Sequence, residues 1–329
     1  MIDLCDDGAE EMFVGRPVER PFLSIVILTF RRLELLREAV ASAVGQEFNR
    51  QFEVIVIDND PDSRNDRLLI SAAPHLRNAP LRYFRNRHNV GEADNWNRGI
   101  AEARGEWVTI LHDDDLLDKS WAREMFALLD KRPDVDGLIC RRFNLDQREA
   151  PVGESRLKSM ARRIISWQQF GWRDIRRIDA RKLFWECPGN TVGFVARKLD
   201  YEAAGGFRAD ESPNSDHAFY LRFAQRFQMY QYAKVLVSIR IADNSLLKRE
   251  THLACAYQDH QIRFACIAAG APRWWTRLLP LLIARQVTAM SHFYRVAVTP
   301  EDVSRMLEVR IVRDRPLLLW TIRAACRGF

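Results

Sequence analysis

The sequence predicts an α/β protein with a mostly parallel central sheet, helices on both faces of that sheet, and a mainly helical C-terminal extension. Two observations lead to this prediction. Strongly apolar segments alternate with helical segments through residues 22–145, and clusters of polar residues directly follow three of the apolar segments. Such alternation is typical of parallel sheets, which bind ligands beyond the carboxyl ends of their strands.

The first strand is predicted from Phe22–Phe30, an almost unbroken apolar run that indicates burial on both faces. Arg31–Gln46 follows as a helix, because Leu33, Leu36, Val40 and Val44 recur at helical spacing. The same reasoning predicts further strands at Phe52–Asp60, Leu81–Asn86, Glu106–Asp115, Val135–Phe143 and within Glu186–Lys198. It predicts further helices at Ala93–Ala103, Lys119–Leu129, Asp200–Phe207, Ser212–Phe227, in the basic and Trp-rich segment Ser155–Leu183, and from about residue 250 onward.

The charge of the chain is unevenly distributed. The formal net charge is +6, and Arg273–Phe329 with ten Arg and four acidic residues carries an excess of +6 by itself. Because Trp274, Trp275, Leu278 and Leu279 lie in the same segment, its composition favours an anionic membrane surface over nucleic acid. A solvated helical face is the alternative interpretation. We therefore expect no nucleic-acid partner and peripheral contact with a membrane.

Cysteine usage and hydropathy indicate the compartment. The six Cys are scattered without a Cys-x-x-Cys pair, which is typical of reduced cytoplasmic proteins. The N-terminal residues are acidic and lack the apolar core of a signal peptide, and no apolar run reaches the length needed to cross a bilayer. We expect a cytoplasmic protein, peripheral on the inner face of the membrane.

The acidic triplet Asp113, Asp114 and Asp115 ends the fourth predicted strand. Adjacent carboxylates repel one another, and a divalent cation compensates this repulsion with carboxylate, water and phosphate oxygens. A solvated turn or a helix N-cap is the alternative. After four apolar strands, at the mouth of a parallel sheet, the position favours a Mn²⁺ or Mg²⁺ site.

A second polar cluster, Asp58, Asn59 and Asp60, ends the second strand. Its carboxylate and amide groups can hydrogen-bond a nucleotide base or ribose, and Asn-Asp-Pro-Asp is also a strong turn sequence. The chain has no Gly-x-Gly-x-x-Gly after the first strand and no Gly-Lys-Ser/Thr phosphate loop. Their absence argues against a dinucleotide enzyme, a kinase and an ordinary ATPase.

Three segments together resemble inverting glycosyltransferase family 2, which has the GT-A fold. They are SIVILTFRR, FEVIVIDND and HNVGEADNWNRGIAEARGEWVTILHDDDLL, and GNTVGFVARKLDYEAAGGFRADESPNSDHAFYLRFA extends the resemblance more weakly. The resemblance implies a Rossmann-like catalytic domain at residues 21–245. Its nucleotide-sugar-binding half would be 21–145 and its acceptor-binding half 146–245. Residues 1–20 are expected to be a leader and 246–329 a helical basic region.

The resemblance also implies roles for single residues. The metal ligands would be Asp114 and Asp115, His112 standing where many members have the first Asp of the motif, and the general base would be Asp216. The nucleotide-sugar-binding residues implied are Thr29, Phe30, Arg31, Asp58, Asn59, Asp60, Asn89, Gly91, Asn97 and Asp113. Trp96 occupies a place often taken by Arg, and Asn190, Glu211 and His217 are weaker acceptor-site candidates.

The expected activity is transfer of a sugar from a UDP- or dTDP-sugar to an acceptor hydroxyl with inversion. The acceptor would be a saccharide or a lipid-linked saccharide in bacterial cell-surface polysaccharide or glycolipid synthesis. Two other functions stay open. A non-catalytic sugar-nucleotide-binding or scaffold subunit would keep Asp58 without needing a base, whereas a sugar-1-phosphate nucleotidyltransferase would need a Gly-rich, Arg-containing N-terminal signature that the chain lacks.

Overall fold

The computed structural model describes residues 9–146, 174–241, 248–294 and 298–307. The chain divides into two compact units that interleave along the sequence. The first comprises the described residues of Met1–Ile178, Pro188–Ala209 and Arg222–Ala242, and the second those of Asp179–Cys187, Asp210–Leu221 and Asp243–Phe329. The boundaries predicted at residues 20, 145 and 245 stay predictions. The predicted helical segment Ser155–Leu183 lies outside the described residues as far as residue 173.

The described residues of the first unit form one sheet of ten strands. They are β1 (Glu10–Val14), β2 (Leu23–Thr29), β3 (Phe52–Asp58), β4 (Leu81–Arg85), β5 (Trp107–His112), β6 (Leu116–Leu117), β7 (Gly137–Asp146), β8 (Ile175–Ile178), β9 (Phe194–Arg197) and β10 (Met229–Ile241). Their order across the sheet is β1-β4-β3-β2-β5-β9-β7-β10-β6, and β8 pairs with β10. All seven residues of β2 are buried, as expected of a strand covered on both faces.

The strand directions confirm the predicted mostly parallel sheet. Strands β4, β3, β2 and β5 are parallel neighbours. Strands β7 and β10 are parallel to each other, and β9 lies antiparallel between β5 and β7, so six of the ten strands share one direction. The chain runs outward from β2 through β3 to β4 and then returns to the other side of β2 as β5. This reversal makes a topological switch point between β2 and β5, the place where open α/β sheets bind ligands.

Helices flank this sheet and continue into the C-terminal part of the chain. They are α1 (Leu33–Val44), α2 (Asn65–Ala72), α3 (Glu92–Glu102), α4 (Trp121–Leu129), α5 (Ala180–Trp185), α6 (Lys198–Ala203), α7 (Ser215–Arg226), α8 (Arg249–Ala268), α9 (Leu279–Tyr294) and α10 (Pro300–Leu307). Short 3₁₀ helices cover Pro74–Asn78, Ala209–Glu211 and Arg273–Leu278. Helix α7 begins in the second unit and ends in the first.

Close packing between helices and sheet explains why the elements carry these residues. Helix α1 buries Leu36, Ala39, Val40 and Ala43 in the main core, a stripe at helical spacing. Helix α3 approaches β2 at Gly99, where an added Cβ would lie 2.3 Å from Val26 Cγ1. Only a residue without a side chain permits this approach, which fixes α3 against the middle of β2.

The structure adds strands that sequence reasoning did not predict. Strand β1 lies within the segment expected to be a leader and pairs antiparallel with β4. Strand β8 lies within the segment expected to be helical, so that expectation is wrong at Ile175–Ile178, which pairs with β10. Strands β6 and β10 were likewise not predicted, and β10 is the partner of β6, β7 and β8.

The second unit is helical where it is described, as predicted for the C-terminal extension. Its small apolar core is formed by residues of α8, α9 and α10 and by one residue just before α10, namely Ala256, Ile283, Val287, Val303 and Val298. The 3₁₀ helix Arg273–Leu278 adds the buried side chain of Trp275, whose ring packs against Phe184 and Trp185 of α5.

This packing changes the interpretation of the basic C-terminal segment. Trp275, Leu278 and Leu279 are buried in the second unit, although the sequence suggested apolar residues available to a membrane. Trp274 alone among the four apolar residues named for that surface stays exposed, with 51% of its surface accessible. Among the described residues, no helix combines the length and apolar character that a membrane span requires.

Candidate functional site

The candidate site lies where the carboxyl ends of β2, β3 and β5 meet. Thr29 at the end of β2 pairs with Asp58 of β3, and Leu28 pairs with His112 of β5. The polar clusters that follow these strands therefore lie side by side at the switch point, which is the arrangement that the sequence predicts.

Asp113 is bound to the loop that follows β2. Its Oδ2 accepts hydrogen bonds from the Thr29 hydroxyl at 2.8 Å and the Phe30 amide at 3.3 Å. The Arg32 guanidinium donates to its Oδ1 at 3.3 Å. Burial raises the pKa of Asp113 to about 6, and the hydrogen bond from Thr29 opposes that rise. Asp113 thus ties β5 to the β2 loop.

Asp114 and Asp115 have different surroundings. Arg32 donates to Asp114 Oδ2 at 2.9 Å. Asp115 is almost fully buried, and its two carboxylate oxygens accept from the Arg240 amide at 3.0 Å and from the Asn190 side chain at 3.4 Å. Burial, and then the negative charge of Asp114, raise the pKa of Asp115 well above its ordinary value. A second carboxylate beside a buried one is costly unless a cation compensates it.

His112 completes a cluster with these two carboxylates. Its Nδ1 lies 3.7 Å from Asp115 Oδ2, and its Nε2 lies 3.3 Å from the Thr191 hydroxyl. The Trp96 ring stacks on the imidazole with centroids 5.6 Å apart and planes at 22°. Burial lowers the pKa of His112, which favours the neutral imidazole that metals bind. Metal-binding His residues commonly have their second nitrogen held in this way.

The donor set fits a divalent cation. His112, Asp114 and Asp115 can each offer one ligand atom, and these atoms lie within 4.8 Å of one another. Ligand atoms on opposite sides of an octahedral ion with bonds of about 2.1 Å are about 4.2 Å apart. A small inward movement of the three side chains would therefore bring their ligand atoms to bonding distance of one ion. Carboxylate and imidazole donors suit Mn²⁺ well. Arg32, which neutralises Asp113 and Asp114 here, is 37% exposed and long enough to turn outward.

At the end of β3, the polar side chains bond mainly to other protein groups. Asp58 is fully buried, accepts from the Tyr83 hydroxyl at 2.6 Å and from the Asp60 amide at 3.1 Å, and has a pKa raised by burial. Without exposed surface, it can act on a ligand only through the groups it holds. Asp60 pairs with Arg31 at 2.8 Å, and this hydrogen bond lowers the pKa of Asp60.

Asn59 organises the loop before α3. Its side chain donates to Asn89 Oδ1 at 3.0 Å and to the Gly91 carbonyl at 3.2 Å, and it accepts from the Val90 amide at 3.0 Å. Gly91 has φ +83°, a conformation that L side chains rarely adopt. The three residues predicted here to bind the donor, Asn59, Asn89 and Gly91, are therefore joined by hydrogen bonds.

Phe30 and Arg31 present the exposed surface of this region. Phe30 is 40% exposed, and the Arg31 guanidinium lies 4.9 Å from the centre of its ring. Arg31 has φ 59°, an unfavourable value for a residue with a side chain. Strain of this kind commonly accumulates at functional sites.

Asn97 has a supporting position. Its amide exchanges two hydrogen bonds with the Phe207 backbone, at 2.8 and 2.9 Å, and Phe207 packs edge-on against Trp96. Trp96 in turn stacks on His112. Asn97 therefore braces the ring of a candidate ligand. Sequence reasoning missed Arg32, Thr191 and Arg240, although the Arg31-Arg32 pair gave a local signal for the first.

The remaining predicted residues lie in the second unit. Asp216 is half-buried in the first turn of α7, and its Oδ1 accepts from the His217 amide at 2.7 Å. Glu211 ends the 3₁₀ helix Ala209–Glu211. His217 is buried, and its ring nitrogens face the Leu183 carbonyl and the Asp259 carboxylate. Of the three acceptor-site candidates, Asn190 lies in the first unit and Glu211 and His217 in the second.

Known proteins share this sequence pattern and fold. The family model "Glycosyl transferase family 2" matches residues 24–204. A GalNAc(5)-diNAcBac-PP-undecaprenol beta-1,3-glucosyltransferase of Campylobacter jejuni is 36% identical over 98 residues, which are 30% of this chain and 31% of that protein. Abequosyltransferase RfbV of Salmonella typhimurium is 30% identical over 114 residues, 34% of each chain. The matched stretch thus spans about a third of these curated relatives.

Solved structures agree with the fold. S. aureus TarS 1-349 aligns with a TM-score of 0.55 and 16% identity over 83% of this chain and 72% of that chain. The same protein in complex with UDP-GlcNAc aligns with a TM-score of 0.54 and 14% identity over 83% of this chain and 82% of that one. The resemblance inferred from the sequence motifs is confirmed, with its α/β fold. The family model covers more than half of the chain. The chain therefore belongs to glycosyl transferase family 2.

Proposed function

We propose that the chain transfers a sugar from a UDP- or dTDP-sugar to an acceptor hydroxyl, with inversion, in the synthesis of a bacterial surface polysaccharide or glycolipid. The observation that carries this proposal is the cluster of His112, Asp114 and Asp115 at the switch point. Family membership supports it, as do a relative whose name denotes glucosyl transfer to a lipid-linked saccharide and solved complexes of TarS with UDP and UDP-GlcNAc.

The donor would bind at the exposed loop after β2. Phe30 offers an apolar face for a base, and Arg31 offers a cation beside Asp60. Thr29, Asp58, Asn59, Asn89 and Gly91 would act by holding this surface in place, because their polar groups bond to neighbouring residues in the structure.

Asp114 and Asp115, with His112 as third ligand, would hold Mn²⁺ or Mg²⁺. When bound, the ion supplies positive charge that stabilises the leaving diphosphate. Asp113 would keep β5 and the β2 loop aligned through Thr29. Asn190 and Arg240 would orient Asp115 through their hydrogen bonds to its two oxygens.

Asp216 would be the general base. A sugar hydroxyl is a weak nucleophile, and a carboxylate within hydrogen-bond reach can accept its proton as the new bond forms at the anomeric carbon. The bond from the anomeric carbon to the diphosphate breaks in the same displacement, so the configuration inverts. Glu211 is the reserve base, and Asn190 belongs to the weaker acceptor-site candidates.

Two other functions make different predictions for this site. A non-catalytic sugar-nucleotide-binding subunit would bind the donor without consuming it. A sugar-1-phosphate nucleotidyltransferase would instead release pyrophosphate from a nucleoside triphosphate. Incubating the protein and Mn²⁺ with a donor panel of UDP-glucose, UDP-GlcNAc and dTDP-glucose, or with UTP and glucose-1-phosphate, separates the three by their products. We expect nucleoside diphosphate and free sugar from one donor, by slow transfer to water.

The stereochemistry of that hydrolysis tests the single displacement. All three donors of the panel carry an α-linked sugar, so attack from the opposite face should release the β-anomer first. Proton NMR spectra recorded within minutes, before mutarotation, report the anomer directly. Release of the α-anomer would contradict a single displacement, and heat-inactivated protein provides the background.

We propose peripheral membrane contact from the charge of the C-terminal segment alone, because most of the apolar residues that first suggested it are buried. Arg273–Phe329 carries the whole net excess of +6, and Trp274 is exposed beside Arg273. The protein should sediment with vesicles containing phosphatidylglycerol and dissociate as salt shortens the Debye length from about 10 Å at 0.1 M to about 3 Å at 1 M. Neutral phosphatidylcholine vesicles are the control. Equal sedimentation at both salt concentrations, or none, would contradict the proposal.

A further inference from the structure

A buried polar cluster in the second unit connects the start of α7 with the C-terminal helices. Asp259 of α8 accepts hydrogen bonds from Asn214 Nδ2 at 2.9 Å, from His217 Nδ1 at 3.1 Å, and from Gln286 Nε2 of α9. We propose that the hydrogen-bonded pair of His217 and Asp259 positions Asp216 for proton transfer. This proposal rests on the proposed function of Asp216 as the base, and it gives the C-terminal helical region a part in catalysis.

The hydrogen bonds of His217 hold its ring at both nitrogens. Its Nε2 lies 2.9 Å from the Leu183 carbonyl oxygen, which can only accept a hydrogen bond. Its Nδ1 faces Asp259 Oδ1 at 3.1 Å. Burial by itself raises the pKa of Asp259, but the His217 hydrogen bond and the charge of Arg263 outweigh it, so the pKa lies below its ordinary value. The Asp259 carboxylate therefore stays available as an acceptor, and both ring nitrogens of His217 face oxygen atoms.

The other groups around Asp259 include one more charged side chain. Arg263 on α8 is buried, donates its Nε to the Phe184 carbonyl of α5 at 3.2 Å, and adds a positive charge beside Asp259. Gln286 of α9 and Asn214 before α7 are neutral donors. One carboxylate thus accepts from the His217 ring and from two amides beside the Arg263 charge, and replacing it would leave buried donors without their acceptor. Such losses are costly, because a buried donor without a partner keeps its full desolvation penalty.

The pair acts on Asp216 through the backbone of the next residue. The His217 amide donates to Asp216 Oδ1 at 2.7 Å. The His217 ring is held at both nitrogens, so the position of its own amide is fixed as well. Asn214 adds a second tie, because its Nδ2 also donates to the Cys255 carbonyl of α8 at 2.9 Å. The Asp216 carboxylate is therefore oriented by an amide whose residue is anchored on α5 and α8.

This arrangement predicts a selective defect. In Asp259→Asn the side chain keeps its shape but loses the negative charge that holds the His217 ring. We expect kcat for hydrolysis of the best donor of the panel to fall about tenfold to a hundredfold, as small misplacements of catalytic groups do. The KM for the donor should stay within about twofold of wild type, since the proposed donor residues lie in the first unit. Asp302→Asn, the same change in α10 of the same unit, is the matched control and should keep normal kcat.

Non-additivity separates positioning from general destabilisation. If the pair acts through Asp216, Asp259→Asn should lower kcat in the wild-type background and change it less than twofold in an Asp216→Asn background. Equal losses in both backgrounds, or losses that follow the melting temperature alone, would overturn the proposal. If Asp216→Asn alone keeps normal turnover, Asp216 is not the base. That result differs from equal losses in both backgrounds, which would contradict only the positioning role of Asp259.

A second substitution keeps the proposal testable if Asp259→Asn does not fold. His217→Gln can keep a donor near the Leu183 carbonyl but lacks the second ring nitrogen that faces Asp259. It should show the same loss of kcat at unchanged donor KM, and the same absence of effect beside Asp216→Asn. A folded His217→Gln protein with normal kcat would overturn the proposal on its own.

Discussion

Asp216→Asn should lower turnover by about 10² to 10⁴-fold, the usual cost of losing a positioned base. The amide keeps the shape of the carboxylate and much of its ability to accept a hydrogen bond from the His217 amide. It cannot take a proton from a sugar hydroxyl or from water. Donor affinity should barely change, because the proposed donor residues belong to the first unit and Asp216 to the second.

The measurement compares turnover and donor affinity on the same folded variant. Asp210→Asn is the matched control, since this exposed residue lies in the 3₁₀ helix Ala209–Glu211 shortly before α7. If Asp216 only stabilised the first turn of the helix, unfolding free energy would fall by roughly 1 kcal/mol or less and turnover would survive. Near-normal turnover would remove Asp216 from the mechanism and make Glu211 the next residue to test.

Asp114→Asn should abolish measurable transfer and hydrolysis. The substitution keeps the size of the side chain but removes one of the charges proposed to hold the cation next to Asp115 and His112. Arg32, which bonds both Asp113 and Asp114, would keep its contact with Asp113, so the fold of the loop should persist. Turnover is measured across Mn²⁺ concentrations, because a weakened site could recover at high metal.

Asp134→Asn controls for the loss of one negative charge, since Asp134 is paired with Arg132 on the surface. Its turnover should equal that of the wild type at every Mn²⁺ concentration. Full activity of Asp114→Asn at low Mn²⁺ would contradict the metal assignment and leave Arg32 as the group that meets the diphosphate.

The parts of the fold that sequence reasoning predicted are those with a strong local signal. Strand β2 is an uninterrupted apolar run, and the helix after it shows a clear 3.6-residue period. Strand β10 has thirteen residues that include Lys234 and Arg240, so its pattern is neither uniformly apolar nor regularly alternating. Strand β8 has only four residues, two of them Arg, and its pairing with β10 overrides local preference.

The site divides in the same way. The adjacency of Thr29, Asp58 and the Asp113–Asp115 triplet follows from strand ends in a parallel sheet and could be predicted. The supports could not, because their partners are distant in sequence: Asn97 bonds Phe207 across 110 residues, and Asp115 bonds Arg240 across 125. No local pattern encodes such pairs. The stacking of Trp96 on His112 likewise became visible only once α3 and β5 were folded together.

The acidic cluster should bind a nucleoside diphosphate through a divalent cation, and calorimetric titration of UDP and dTDP measures this binding. Each nucleotide is titrated into the wild-type protein and into Asp114→Asn, with Mn²⁺ and without divalent metal. We expect Mn²⁺ to tighten binding of one nucleotide at least about tenfold, a coupling of about 1.4 kcal/mol, in the wild type alone. Equal affinity with and without Mn²⁺, or the same tightening in Asp114→Asn, would contradict this expectation.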